Sequence, residues 1–445
     1  MSDETLFELP EPESRKPGGP THPSEARLLR PVRNQIEWMP CDLESMIPDD
    51  HPARAIWTML ERLDLSAFYA SIKAVLGRPG HPAADPQVLL ALWLFATVEG
   101  IGSARQIHRL CEEHDAYRWL RGGVPVNYHM LSDFRVAHRE ALNDLLTKIL
   151  ASMMFEGLVS LRHVAQDGMR VRASAGASSF HRRGSLEKCL GEAREQVERL
   201  AQEREHPDPG VNRRQEAARE RAAKERLARV EKALQRLPGI EATKRRQRYK
   251  LTKTRKVTQA RVSTTDPEVQ VLKMPDGGFR PALNVELATD VDSQVIVGVD
   301  VITAGSDGGQ AAPMAEKVIE RTKRSPEAYL VDGNFVKRSD ITVLERQGIR
   351  VYAPTSEPGT TTSGRTKAMP RPDDTPEVAA WRARMETEEA KTIYKERAAT
   401  AECTNARARA LGLRQFTVRG VTKVLSVVLL VAIAHNLLRW IALQA

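Results

Sequence analysis

The segment "RHVAQDGMRVRASA", residues 162–175, joins a short apolar run to one aspartate and then to a basic, alternating tail. Alternation of this kind predicts a β-strand, which we expect over residues 161–173. A second aspartate, Asp332, has a matching context, since it follows "AYLV" and, like Asp167, precedes a glycine. We expect both carboxylates at the carboxyl ends of buried strands, where open α/β sheets form their ligand crevice.

Two carboxylates in one crevice repel each other unless a cation lies between them. Mg²⁺ is the expected cation, because it prefers carboxylate oxygens and keeps waters for a phosphate substrate. A third acid is expected from the helix predicted over "YKERAATAECTNARAR", residues 394–409. At about 100° per residue, four of its side chains fall within an arc of about 80°. They are Tyr394, Glu402, Asn405 and Arg409. Glu402 is therefore the candidate third acid, while Arg397 falls outside the arc.

Length and charge restrict the class of protein. The chain has 445 residues, 41% of them hydrophobic, which is enough for two or three domains with a real core. A net charge of +9 and a pI near 9.4 favour a polyanionic partner, nucleic acid first and an acidic membrane surface second. Four widely spaced cysteines without a CxxC pair fit reduced thiols in a cytoplasm. Residues 1–26 are acidic and Pro-rich, so we expect a disordered tail without a signal peptide.

Helical periodicity dominates residues 27–158, which we interpret as a helical DNA-binding domain. Ser103 is a plausible N-cap after a short turn, so a helix-turn-helix is one interpretation of this region. Arg105 and Arg109, on the helix that follows, are the candidate DNA contacts.

An insertion is expected after the first strand, over residues 180–258, as a helical hairpin followed by a basic run. The run "KRRQRYKLTKTRK", residues 244–256, has eight Lys or Arg and no acid. It is either a solvated connector or, as we favour from the net charge, an arm that contacts phosphates. The candidate contacts on this arm are Lys244, Arg245, Arg246 and Arg248.

The second half alternates strands and helices, which predicts a mixed α/β sheet layered with helices over residues 159–445. Asp307, in "GSDGGQ", is expected to cap the helix that follows it. One long helix is expected from Pro376 to about residue 410, closed by Gly412. The apolar run at residues 424–443 approaches the length of a membrane span, but its polar interruptions favour a buried helix.

Several motifs in this order resemble one known family. They are "QDGMRVRASA", "STTDPEVQVLKMPDGGFRPALNVELATD", "YLVDGNF", the series Tyr394, Arg397, Glu402 and Arg409, and the tail "GLRQFTVRGVTKV" followed by "AIAHNLLRW". Together with "RNQIEWMPCDLESMIPDDHPAR" near the N-terminus, they make the chain similar to Asp-Asp-Glu (DDE) transposases of bacterial insertion sequences. The resemblance extends over roughly residues 27–443.

The resemblance implies an RNase H-like catalytic domain in which Asp167, Asp332 and Glu402 are the catalytic carboxylates. It implies two Mg²⁺ ions, replaceable by Mn²⁺, held by these three acids. Tyr394, Arg397 and Arg409 would lie beside the DNA backbone. The implied activity is strand cleavage and strand transfer on double-stranded DNA, at the terminal inverted repeats and a target, by a homodimer in the bacterial cytoplasm and nucleoid rather than at a membrane.

Two alternatives stay open at this point. The chain could be a DNA-binding remnant of a decayed element, although the three acids are present in the expected order. It could also be a metal-dependent nuclease of the same fold that cuts without joining, because the sequence does not separate the two reactions.

Overall fold

The protein was studied as a computed structural model, which describes residues 42–74, 82–205, 212–250, 259–305, 307–333, 335, 337–355 and 370–444. Within these ranges, the side chains of residues 205 and 247–250 are not described. The predicted tail at residues 1–26 lies outside the described residues.

Seven α-helices precede the first strand in the described part of the chain, in agreement with the predicted helical region. They are α1 (Pro52–Glu61), α2 (Ser66–Tyr69), α3 (Pro86–Val98), α4 (Ala104–Glu113), α5 (Asp115–Arg121), α6 (Tyr128–Ala137) and α7 (Arg139–Phe155). Helix α3 is buried on almost every side because α1, α5 and α6 pack around it. Ser103 caps α4 as predicted, since its hydroxyl accepts a hydrogen bond from the Gln106 backbone N–H at 3.4 Å.

Strands and helices alternate in the remainder of the chain. The elements are β1 (His163–Arg172), β2 (Phe180–His181), α8 (Arg183–Glu205), α9 (Arg213–Lys250), β3 (Val262–Ser263), β4 (Gln270–Lys273), β5 (Phe279–Asp290), β6 (Ile296–Ile302), α10 (Ala311–Thr322), β7 (Ala328–Leu330), α11 (Arg338–Arg346), β8 (Arg350–Tyr352), α12 (Pro376–Met385), α13 (Glu388–Ala410) and α14 (Val421–Gln444).

The main sheet is mixed, as predicted. Strand β1 is antiparallel to β5 and parallel to β7, and β7 is parallel to β8. The far edge of β5 pairs with β4 and then with β6, both antiparallel. Side chains of consecutive strand residues point to opposite faces. Gln166 accordingly bonds the backbone oxygen of Gln310, at the start of α10, while Asp167 on the other face meets α13.

Two helices, α8 and α9, fill the predicted insertion and pack along each other. The segment "HPDPG", residues 206–210, where the sequence predicts the turn of this hairpin, lies outside the described residues. A small apolar cluster of Leu186, Ala233, Leu237 and Val262 joins the base of this hairpin to β3. Many of the hairpin's charges pair across it or along one helix, for example Arg226 with Glu192.

The single helix expected from Pro376 to about residue 410 is wrong in one respect, because the structure has two helices, α12 and α13. Thr387 separates them: its hydroxyl accepts a hydrogen bond from the Ala390 N–H at 3.2 Å and so caps α13. A threonine forms this bond only when its backbone leaves the helical conformation. The predicted end at Gly412 is confirmed by its left-handed backbone, with φ of +102°.

Helix α14 is long and apolar enough to cross a membrane by length and composition, and 67% of its most apolar window is buried inside the protein. It packs on α3, α7 and β6. The Asn436 amide accepts from the Ile296 N–H at 2.9 Å and donates to the Ile296 carbonyl at 2.8 Å. These contacts are those of a core helix that covers a sheet.

Candidate active site

A crevice opens at the edge of β1 where β7 stops. Strand β7 pairs with β1 only as far as Ala165, whereas β5 pairs with β1 on the other side as far as Arg172. The edge is covered again at Arg172, whose N–H and C=O bond to residues 414 and 416 at 3.4 and 2.8 Å. Asp167 lies between these two pairings. The expectation that Asp167 ends its strand is therefore wrong, but it does lie where the neighbouring strand ends.

Asp167 and Asp332 converge in this crevice on one cationic nitrogen. Strand β7 ends two residues before Asp332, which places Asp332 beside Asp167. Nη2 of Arg397, on α13, lies 3.6 Å from Oδ1 of Asp167 and 3.9 Å from Oδ2 of Asp332. Asn405, also on α13, donates from Nδ2 to Oδ2 of Asp167 at 2.9 Å. The structure thus brings together two of the three predicted acids and one predicted arginine.

The electrostatics of the crevice favour a bound cation. Burial raises the pKa of Asp167, the Arg397 guanidinium opposes that rise, and the negative charges of Asp332 and Asp307 add to it. A divalent cation would remove this repulsion more fully than one guanidinium does. Within the described ranges, no three His, Cys, Asp or Glu side chains are grouped closely enough to hold a metal ion. Asp167 and Asp332 are the two described carboxylates that this crevice offers to such an ion.

Glu402 does not join these residues in this structure. It is exposed on α13, and no described residue forms a hydrogen bond or ion pair with it. The geometry of a straight helix explains its position. Taking Tyr394 as 0°, Arg397 lies at about −60°, Asn405 at about +20° and Glu402 at about +80°. The crevice faces the direction between Arg397 and Asn405, so Glu402 points about 100° away from it.

Behind the sheet, on the face opposite Asp167, lies a buried polar network. Asn284 Nδ2 donates to Glu286 Oε1 at 2.7 Å and also bonds Oδ1 of Asp307. Burial raises the pKa of Glu286 to about 8, so this carboxyl group is mostly protonated at neutral pH. Gly168 makes the network possible, because a Cβ at this position would lie 2.9 Å from both Asn284 Nδ2 and Glu286 Oε1.

Sequence reasoning missed the role of this network. Asp307 was expected to cap α10, but the N-cap residue is Gln310, whose side chain forms no capping hydrogen bond. The signal that was available is an amide and an acid two residues apart, Asn284 and Glu286, on the same face of an otherwise apolar strand. Such polar groups in a buried strand indicate a hydrogen-bonded network rather than simple packing.

The other predicted DNA contacts lie at different places on the protein. Half-buried Tyr394 lies close enough to Arg397, Asp332 and Asp167 for their charges to act on its phenol. Arg409 is exposed near the end of α13. The remaining arginines and lysine are found on α4 and α9. On α4, Arg105 stacks on the Tyr128 ring at 5.1 Å and Arg109 pairs with Glu113 at 3.4 Å. On α9, the Lys244 ammonium donates to the backbone oxygen of Gln259 at 3.1 Å, and Arg245 and Arg246 are exposed. The side chain of Arg248 lies outside the described residues.

Comparison with known families assigns two parts of the chain. Residues 41–137 match the family Transposase domain (DUF772), and residues 359–441 match the family Transposase DDE domain. No curated protein and no solved structure matches the chain. The first match spans α1 to α6, and the second spans α12, α13 and most of α14, which includes the Arg397 and Asn405 side of the crevice. Together the two matches support an insertion-sequence DDE transposase, and the DDE domain indicates an enzyme that acts on DNA.

Proposed function

We propose that the protein cleaves DNA at the inverted-repeat ends of an insertion sequence and joins the freed end to a target. Asp167, Asp332 and Glu402 would be the metal-binding carboxylates of an RNase H-like catalytic domain. The observation that carries the proposal is the convergence of Asp167 and Asp332 on the Arg397 guanidinium, where a cation is already favoured. The strand order β6-β5-β1-β7-β8, with the acids on the third strand and after the fourth, supports the RNase H-like part.

DDE transposases use divalent metal ions, and for this chain we propose two Mg²⁺ ions, which Mn²⁺ can replace. When bound, such ions polarise the scissile phosphate and stabilise the attacking and leaving oxygens. Asp167 and Asp332, which converge on Arg397, are the carboxylates that would hold them. Asn405 fixes the direction of the Asp167 carboxylate through its hydrogen bond, so that Oδ1 stays turned into the crevice.

Arg397 has a second role in this proposal. Its guanidinium lies between two carboxylates that would hold a metal ion, so it would be displaced from them when such an ion is bound. It can then bind a phosphate oxygen of the DNA strand, for which its planar fork of N–H donors is well suited. Tyr394 lies one turn before Arg397 on α13, and Arg409 lies about three turns after it. Both would contact the DNA backbone along the same helix.

Glu402 reaches the crevice only if α13 changes its orientation or shape. We propose that DNA binding causes this change, because it removes Arg397 from the carboxylates that now hold the helix in place. On this proposal Glu402 would join the other two acids only when DNA is bound.

The remaining surfaces are assigned by charge. Arg105 and Arg109 on α4, and the basic run from Lys244 to Arg248 at the end of α9, are proposed to contact the backbone of the terminal repeat. Cutting and joining two ends requires two active sites, so we propose a homodimer on DNA. We place it in the bacterial cytoplasm at the nucleoid, where its DNA substrate lies, and the burial of α14 argues against a membrane anchor.

The test is cleavage of a fragment that carries the element's end, in Mg²⁺ or Mn²⁺, with DNA binding measured by mobility shift. Asp167→Asn, Asp332→Asn and Glu402→Gln should each abolish cleavage and leave DNA binding intact. The control is Glu389→Gln, an exposed acid in the first turn of the same helix, which should cleave like the wild type.

Two further readouts separate the alternatives. A fragment with a pre-cut end distinguishes a transposase, which joins it to a target, from a nuclease, which does not. Mn²⁺ binding without DNA should be lost in Asp167→Asn and Asp332→Asn but retained in Glu402→Gln. A Glu402→Gln variant that cleaves normally would remove Glu402 from the proposal, and a wild type that binds DNA but never cuts it would favour the decayed, DNA-binding alternative.

A further inference from the structure

The C-terminal part of the chain is unusual in its charge. From Cys403 to Ala445 there is no Asp or Glu, although the segment contains six Lys or Arg. Two of these arginines, Arg409 and Arg414, are exposed and flank the end of α13. With Arg172 of β1 they form a group that we call the arginine platform. Among the described residues, no acid forms an ion pair with any of the three, although the charge of Arg172 helps to lower the pKa of Asp276.

The backbone fixes the three arginines to one another. Arg414 donates from Nε to the backbone oxygen of Arg409 at 3.2 Å. The Arg172 N–H donates to the Arg414 oxygen at 3.4 Å, and the Phe416 N–H donates to the Arg172 oxygen at 2.8 Å. Buried Leu411, Leu413 and Phe416 hold the segment against the core. Because these three side chains point inward, the arginines between them and beside them point to solvent.

The platform is also fixed to the rest of the protein. The left-handed Gly412 and Gly100 touch backbone to backbone, and a Cβ on Gly100 would lie 2.7 Å from the oxygen of Ala410. Thr417 bonds the Gly102 oxygen at 3.2 Å, in the turn that leads into α4. The platform therefore links the catalytic sheet to the N-terminal helices as one rigid surface.

Its distance from the crevice follows from the elements that carry it. Arg409 is four residues beyond Asn405 on α13, a rise of about 6 Å. Arg172 is five residues beyond Asp167 on β1, or about 17 Å. With a rise of about 3.4 Å per base pair, these lengths correspond to about two to five base pairs.

We propose that the arginine platform binds the backbone of the DNA duplex about two to five base pairs from the scissile phosphate. Exposed arginines that form no ion pair with a described acid, held at a fixed distance from the proposed catalytic acids, suit phosphates better than bases, because phosphate contacts set position and register. This inference rests on the proposed function, and it adds the segment that positions the DNA for cleavage.

The test measures DNA affinity at several salt concentrations for Arg172→Ala, Arg409→Ala, Arg414→Ala and the triple variant. Each contact that is lost should make the negative slope of log K against log salt shallower by about 0.9. At 0.1 M salt this corresponds to about eightfold weaker binding. The loss should be equal on the element's end and on a scrambled duplex. Phosphate ethylation that interferes with wild-type binding about two to five nucleotides from the cut should cease to interfere in the triple variant.

The control is Arg324→Ala, an exposed arginine before β7, at the opposite end of that strand from Asp332. It should bind with the wild-type slope, and all variants should melt at the wild-type temperature. A triple variant with the wild-type salt slope would overturn the platform while leaving the proposed function intact, provided that the wild type binds and cuts. A wild type that does not bind the element's end would overturn both.

Discussion

Replacing Arg397 by glutamine is expected to strengthen the binding of divalent metal to the DNA-free protein. In the free protein, a metal ion must displace a guanidinium whose Nη2 lies 3.6 Å from Asp167 and 3.9 Å from Asp332. Opposite charges at about 4 Å attract by about 1 kcal/mol in water and about 4 kcal/mol near a protein surface. Since all three side chains retain contact with solvent, we take a total of about 1–2 kcal/mol, which predicts about five- to thirtyfold tighter metal binding.

The assay is titration of the protein with Mn²⁺ at low ionic strength, with the free ion measured by electron paramagnetic resonance. Arg397→Lys is the matched control, because it keeps a cation near both carboxylates and should bind metal much as the wild type does. Because loss of the arginine should raise the pKa of Asp167 further, the affinities are measured at several pH values and compared where they no longer depend on pH.

Catalysis should change in the opposite direction. If Arg397 binds phosphate once it is released, Arg397→Gln should cleave DNA at least tenfold more slowly at saturating metal, since one charge-assisted contact is worth about 1.5–3 kcal/mol. The reasoning is refuted if the glutamine variant binds Mn²⁺ with unchanged or weaker affinity. In that case Arg397 would not compete with metal for the two carboxylates.

Three further predictions concern the structure around the crevice. Gly168→Ala should destabilise the protein by about 1–3 kcal/mol, because its methyl group would overlap the polar network behind β1, whereas Gly102→Ala, with open space around it, should cost much less in the same thermal unfolding series. Glu286→Gln should remove a pH dependence of stability, because burial raises the pKa of Glu286 from 4.5 to about 8 in the folded protein. The wild type should therefore lose stability as the pH rises through this range, by at most about 1.4 kcal/mol per pH unit. The melting temperatures of the two proteins should diverge over the same range. Asn436→Leu should cost about 2–6 kcal/mol in denaturant unfolding, since it leaves a buried N–H and C=O of β6 without partners, while Leu438→Gln on the more exposed side of α14 should cost little.

Patterns with a simple physical period were predicted well from the sequence. The alternation around Asp167 predicted a strand, and helical spacing predicted the N-terminal helices and the hairpin. Ser103 begins α4 as its N-cap, and left-handed Gly412 follows the end of α13. Each of these features depends on residues near one another in the chain. Local preference and global fold agree at these positions, which is why they are predictable.

Features that depend on distant partners were not predictable in the same way. Asp167 was expected at a strand end, but where its strand ends depends on β5, more than a hundred residues later. Asp307 was expected to cap a helix, yet its carboxylate accepts a hydrogen bond from Asn284 on β5. Thr387 divides the long helix because capping outweighs a periodicity that could have continued through it.

The orientation of α13 shows most clearly what the sequence leaves undetermined. A periodic helix specifies the angles between its side chains but not which angle faces the sheet. Arg397 and Glu402 are five residues apart, so their side chains leave a straight helix in directions about 140° apart. Both cannot point at Asp167 in one orientation of the helix. Arg397 faces the crevice, where its guanidinium lies between the Asp167 and Asp332 carboxylates. On the function proposed above, a bound metal ion and a DNA phosphate would together free Arg397 from the two carboxylates. The arrival of Glu402 as a third acid would then depend on the presence of DNA.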